Sequence, residues 1–237
     1  MDLTLFGADF NFIKTYYPFF LNGVKNTVLL AFFAVLFGVF IGLFFALMKL
    51  SKFKIFRAIS SSYIEFIRGT PVMVQIFIIY YGLDKIGIRF PNVPALKNFL
   101  GIDFADFMAG VITLSINSGA YVAEIIRGGI QAVDSGQMEA ARSLGMPHAM
   151  SMIYIVIPQA LRNILPALGN EFIVVIKESS IVSVIGIADL MYSTQVVRGI
   201  TFIPMEPLYV AAIMYFILTF SLSKILGVFE RRMRAGA

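Results

Sequence analysis

VLLAFFAVLFGVFIGLFFALM, Val28 to Met48, runs for 21 residues without one charged or strongly polar side chain. At about 1.5 Å of rise per residue, a helix of that length covers about 31 Å, the thickness of a bilayer's hydrocarbon core. A secretory leader is the competing reading. The run is too long for one, and neither a basic segment before it nor a small-residue cleavage site after it frames it. The stretch is a membrane span.

The rest of the composition agrees. Of 237 residues, 59% are apolar and only 14% are charged, against about 45–50% and about 25% in water-soluble domains. The absence of Cys and the single His148 exclude disulfides and Cys- or His-based metal centres. With no Trp, Tyr16, Tyr17, Tyr80 and Tyr81 are the interfacial anchors. The net charge of +5 fits basic loops on the cytoplasmic side better than nucleic-acid binding.

Lys49, Lys52, Lys54 and Arg57 follow the first span with no acid among them. The positive-inside rule makes that loop cytoplasmic and puts the N-terminus outside. The tail, with Lys224, Arg231, Arg232 and Arg234, is also basic, so the number of spans must be odd. Five fit, over about 24–48, 59–83, 104–127, 160–178 and 208–229. The expected fold is an all-α integral membrane protein with its C-terminus in the cytoplasm. An extracytoplasmic segment 1–21 precedes one membrane domain, 22–230, and a basic tail, 231–237, follows it.

The spans are not uniform. The second is entered through Ser60-Ser61-Ser62, helix-capping residue types, and is interrupted by Gly69-Thr70-Pro71. Its Glu65 and Arg68 are neighbours on one helix face, placed to satisfy each other. A loop with Pro91 and Pro94 follows. On the third span Gly110, Thr113, Asn117, Tyr121 and Glu124 form one polar stripe, which must face other helices or a water-filled cavity. The fourth carries Pro166, Gly169, Glu171, Lys177 and Glu178, and such a span is tolerated only inside protein or beside a cavity. Residues 179–207 read as a partly re-entrant outer segment. Gly38 and Gly42 form a GxxxG that permits close helix packing.

Between the third and fourth spans lies a polar helix, Asp134 to Gly145. Asp134 caps its start with Gln137 in the reciprocal capping-box position, Gly145 suits a left-handed end, and Pro147 prevents continuation. A helix that short is marginal alone and needs packing from its own chain or a partner. Ala140, Ala141 and Leu144 offer a small contact face.

Glu139-Ala140-Ala141, then Gly145, then Ile157-Pro158 resemble the EAA loop of ABC-importer permeases. Four more blocks resemble the polar-amino-acid branch of that family: Tyr63–Pro71, Ala120–Ile130, Leu168–Ile173 and Lys177–Gly186. So does Pro158-Gln159-Ala160-Leu161-Arg162, and the likeness runs from about Asn22 to Glu230. Departures are small: Asp134 stands where relatives often have proline, and Glu178-Ser179 where many have aspartate and threonine.

The resemblance implies the permease subunit of a type I, binding-protein-dependent amino-acid importer in the bacterial cytoplasmic membrane. Its implied partners are two cytoplasmic ATPase subunits, a second permease chain (identical or related) and an extracytoplasmic binding protein that delivers a polar amino acid. No G-x-x-x-x-G-K-[ST] loop is present, so the chain is expected to be no enzyme and to bind no cofactor; ATP and Mg2+ belong to the partner ATPase. The resemblance makes Glu139, Ala140, Ala141 and Gly145 the ATPase-coupling residues. Asn117, Tyr121, Glu171, Lys177 and Glu178 are the pathway candidates, against interhelical hydrogen bonding or internal ion pairing as their alternative. An ion-coupled secondary transporter with Glu65, Glu124 and Glu171 as a proton relay is the rival reading. Its usual paired internal repeats are absent from the sequence.

Overall fold

The computed structural model describes residues 4–5, 8–88, 91, 93–101 and 104–235. A two-residue antiparallel pair, β1 (Thr4–Leu5) with β2 (Ala8–Asp9), precedes an otherwise helical chain. The helices are α1 (Phe12–Leu50), α2 (Lys54–Gly69), α3 (Val72–Lys85), α4 (Pro94–Leu100) and α5 (Phe104–Gln131). There follow α6 (Ser135–Ser143), α7 (His148–Ser151), a π-helical turn (Met152–Val156) and α8 (Ile157–Glu178). A 3-10 segment (Ser179–Ile185), α9 (Leu190–Thr201) and α10 (Glu206–Ala235) complete the chain. The segment expected before the first span is thus already helical from Phe12, and the basic tail continues α10 as far as Ala235. The remainder of those two segments, residues 1–3, 6–7 and 236–237, lies outside the described residues.

Among the described residues, three helices are long and apolar enough to cross a membrane: α1, α5 and α10. The pair α2–α3 makes a fourth if it counts as one span, but it is bent by 106° at the break. The cause is local. Pro71 has no N–H to donate and forces the residue before it out of helical conformation, so Thr70 is extended at φ −115°, ψ 144°. Helix α8, expected as the fourth span, is too polar to stand among the three. Ser60, expected at a helix start, lies inside α2, and its hydroxyl donates to the Phe45 carbonyl at 2.7 Å. Tertiary contact overrides the capping preference.

The chain forms two compact units, with α1, α5, α8 and α10 each contributing to both. The first comprises Met1–Ala34, Pro71–Leu114 and Val174–Ser221. Phe12, Phe20, Leu190 and Val197 form a buried cluster there, flanked by Val210, Met214 and Tyr215. Polar groups fix its corner: Asn26 Nδ2 donates to the Ala188 carbonyl at 2.7 Å, and the Leu190 N–H donates to Thr27 Oγ1 at 3.1 Å. Asp189 caps α9, accepting the Tyr192 N–H at 2.8 Å, while the Tyr215 hydroxyl donates to its other oxygen at 3.4 Å.

Burial pushes the Asp189 carboxyl from 3.8 up to about 7, against the pull of the hydrogen bonds it accepts. The folded state therefore prefers the protonated acid. Its contribution to stability is full below pH 3.8 and is lost as pH rises through about 7. Asp189→Asn keeps a cap acceptor but cannot ionise. Melting of the detergent-solubilised chain is expected to fall across that window in the wild type and to stay flat in the variant.

The second unit comprises Val35–Thr70, Ser115–Ile173 and Leu222–Ala237. Its core is Ala46, Ile64, Val122, Ala123, Ile126, Ala160 and Ile164. Here α1 and α5 meet through small residues. A Cβ on Gly38 would lie 3.1 Å from Ser118 Cβ, and one on Gly42 would lie 2.6 Å from Val122 Cγ1. The GxxxG expectation thus corresponds to a close helix contact. Tyr63 stacks on Phe45 with ring centroids 3.8 Å apart and donates to the Ile116 carbonyl at 2.6 Å.

Candidate functional site

Helix α6 sits in the second unit. Asp134 Oδ1 accepts the Gly136 N–H at 2.6 Å, so the expected cap forms. The reciprocal half of the capping box does not. Gln137 turns to α8 instead, its side-chain oxygen accepting from Gln159 Nε2 at 3.4 Å. At the other end the Met146 N–H reaches back to the Ala141 carbonyl at 3.1 Å, and the Gly145 N–H to that of Arg142 at 3.0 Å. This is a Schellman closure, and it needs the left-handed residue it has, Gly145 at φ +85°.

The helix divides into two faces. Ala141 is buried at 5% exposure and seats α6 on its own chain. Glu139, Ala140, Arg142 and Gly145 are exposed, and Leu144 is 85% exposed. A leucine standing that far into solvent beside a capped, ordered helix is an available apolar contact.

The polar stripe of α5 turns inward at Gly110 and Thr113, both buried. Asn117 is buried, and the neighbouring Ser118 donates to Glu171 Oε1 at 2.8 Å, joining α5 to α8. Glu171 is itself only 8% exposed. Tyr121 is half-buried, with the Arg68 guanidinium 5.1 Å from its ring centre. That contact replaces the expected Glu65–Arg68 pair: the guanidinium gains a ring face, and Glu65 stays exposed. Lys177 is exposed and Glu178 half-buried, and both belong to the first unit.

The sequence reading missed a charged cluster in the second unit. Glu124 accepts from Arg127 Nη2 at 2.6 Å, and Lys49 Nζ lies 3.6 Å from its other oxygen. Lys49 had value only as a marker of topology. That it reaches the α5 glutamate could not be read from residues 75 positions apart in sequence. Among the described residues, no three His, Cys, Asp or Glu side chains are grouped to hold a metal.

A family model for the binding-protein-dependent transport system inner membrane component matches residues 38–235. A putative glutamine transport system permease protein, GlnP, of Rickettsia felis is 39% identical over 227 residues, 94% of this chain and 98% of that protein. The arginine transport system permease protein ArtQ of Bacillus subtilis is 37% identical over 227 residues, 96% of this chain and 98% of that one. Among solved structures, an amino acid ABC transporter crystallised with histidines contains a chain 53% identical, with a TM-score of 0.85 over 95% of this chain and 99% of that one. The MetNI methionine transporter shares the fold at 16% identity, with a TM-score of 0.74 over 93% of this chain and 98% of its own.

Proposed function

We propose, from the premise that this chain belongs to the family of binding-protein-dependent transport system inner membrane components, that α6 is where its ATPase docks. The protein is the permease subunit of an amino-acid ABC importer, a transport component rather than an enzyme. The observation that carries the docking role is the division of α6, with Ala141 turned in and Glu139, Ala140, Leu144 and Gly145 turned out. Such a helix has a fixed orientation and an unused contact face, which is what transmission of force from a separate motor requires.

Five crossings, with the N-terminus outside, remain the topology that the charges favour. Counting α2–α3 as one broken span and α8 as a polar one gives α1, α2–α3, α5, α8 and α10. The basic loop after α1, helix α6 and the end of α10 then share the cytoplasmic side of the bacterial inner membrane. The polar groups of α8 are tolerated because they are partly satisfied inside protein, as Glu171 is by Ser118.

Two copies of the ATPase bind ATP and Mg2+, draw the α6 helices of two permease chains together, and open the pathway toward an extracytoplasmic binding protein. The carried solute is a polar amino acid. In the second unit Asn117 and Glu171, both buried, act as braces and Tyr121 offers an accessible polar atom; in the first unit Lys177 and Glu178 do so. An amino-acid zwitterion presents both charges, and Lys177 beside Glu178 can answer both. Lys177→Gln is expected to lower uptake kcat/KM in proteoliposomes by about tenfold, the size of one charge-assisted hydrogen bond. Basal ATPase activity should stay unchanged. Unaltered uptake would remove Lys177 from the pathway.

The function is tested by co-expression with an ABC ATPase and a binding protein. Co-purification and ATP-dependent uptake of a polar amino acid are the expected results. Uptake under an ion gradient alone, without an ATPase subunit, would overturn the assignment.

A further inference from the structure

In the second unit α8 and α10 enclose a groove of about 260 Å3, lined by Gly169, Phe172, Ile173, Leu222, Ile225 and Phe229 among others, all without polar side-chain atoms. Leu226 packs directly on Gly169 and forms its floor. On the five-crossing topology the two helices run in opposite directions. Arg162, seven residues before Gly169, and Arg231 and Arg232, five and six after Leu226, therefore reach the same cytoplasmic level. All three arginines are exposed, and among the described residues none has an acidic partner. At about 100° per residue Arg162 shares the groove face of α8 and Arg232 flanks that of α10, whereas Arg231 folds back on Gly227, away from the groove.

We propose that this groove holds an acyl chain of an anionic phospholipid whose phosphate rests on Arg162 and Arg232. An apolar slot with Arg162 and Arg232 toward its cytoplasmic end suits an amphiphile with a negative head. A neutral lipid would leave the arginines unanswered, and a free phosphate would leave the slot empty. A second copy of this chain fits poorly, because its cytoplasmic edge offers Lys49, Lys52, Lys54 and Arg57, which would set like charges together. Guanidinium groups at this depth gain both the phosphate hydrogen bonds and the negative surface potential of the leaflet.

The test uses the complete transporter in mild detergent, exposed to equal amounts of phosphatidylglycerol and phosphatidylcholine and analysed by native mass spectrometry. Preferential retention of phosphatidylglycerol is expected. Arg232→Gln should reduce that preference by about fivefold, the contribution of one basic residue near an anionic headgroup. Phosphatidylglycerol with a photoreactive tail should label the peptide containing Ile225 and Phe229, and Ile225→Trp should remove the label by filling the groove. Equal retention of the two lipids by the wild-type complex would overturn the proposal without recourse to any variant. So would labelling confined to other helices, or ready disulfide linkage of two permease chains through Ile225→Cys, which would make the occupant a second copy.

Discussion

Gly145→Val is expected to abolish substrate-stimulated ATPase activity of the reconstituted transporter while the chain still inserts and purifies. The reason is conformational. Gly145 holds φ +85°, and a Cβ placed there would meet nothing within 4 Å, so the substitution is not a clash. A side chain in the left-handed region costs about 1–2 kcal/mol, and a β-branched one more. The cheapest relief is to unwind the Schellman closure, releasing the Met146–Ala141 and Gly145–Arg142 hydrogen bonds and with them the direction of Leu144. A protein of this size tolerates that cost; the docking face proposed for α6, which depends on its orientation, does not. Gly145→Asn, whose side chain visits the left-handed region readily, should retain most coupling. Equal activity in the valine variant would detach this turn from transmission.

Gly42→Leu carries the largest expected effect on stability. Its Cβ would stand 2.6 Å from Val122 Cγ1, 2.7 Å from Val122 Cβ and 2.9 Å from the Ala123 nitrogen. A side-chain terminus can swing away, but the β-carbon and backbone of α5 cannot without moving the helix. Overpacking in a well-filled interior costs about 1–3 kcal/mol, and this site, against backbone, belongs at the top of that range. The detergent-solubilised chain should lose its cooperative melting transition, or melt far lower, in Gly42→Leu. Phe40→Leu, at a position 65% exposed, should leave it unchanged. The two substitutions separate the helix contact from mere apolar bulk.

These two glycines show what was legible in the sequence. Gly145 was readable because helix termination is local: the residue type, the polar run before it and Pro147 after it lie within a few positions. Gly42 was readable only as a permission to pack closely, since the four-residue spacing does not name the partner. Ser60 was misplaced because its partner, the Phe45 carbonyl, lies on another helix. The same holds for Arg68, which i,i+3 spacing assigned to Glu65 and which faces Tyr121 instead. The corner built from Asn26, Thr27, Ala188 and Asp189 was invisible, being closed by contacts between residues 162 and 163 positions apart. Local rules find elements and their ends. Long-range hydrogen bonds decide what a polar residue inside a span is for, and on α5 and α8 that difference separates a brace from a pathway.

The π-helical turn at Met152–Val156 bears on how such permeases can be recombined. Its wider winding sets α7 out of rotational phase with α8, so hydrophobic periodicity counted back from α8 loses its bearing before it reaches α6. Helix α6, proposed above as the docking element, is therefore best exchanged together with that turn. A chimera cut at Pro158 carries the turn along with α6, whereas a cut at Pro147 joins α6 to a foreign turn.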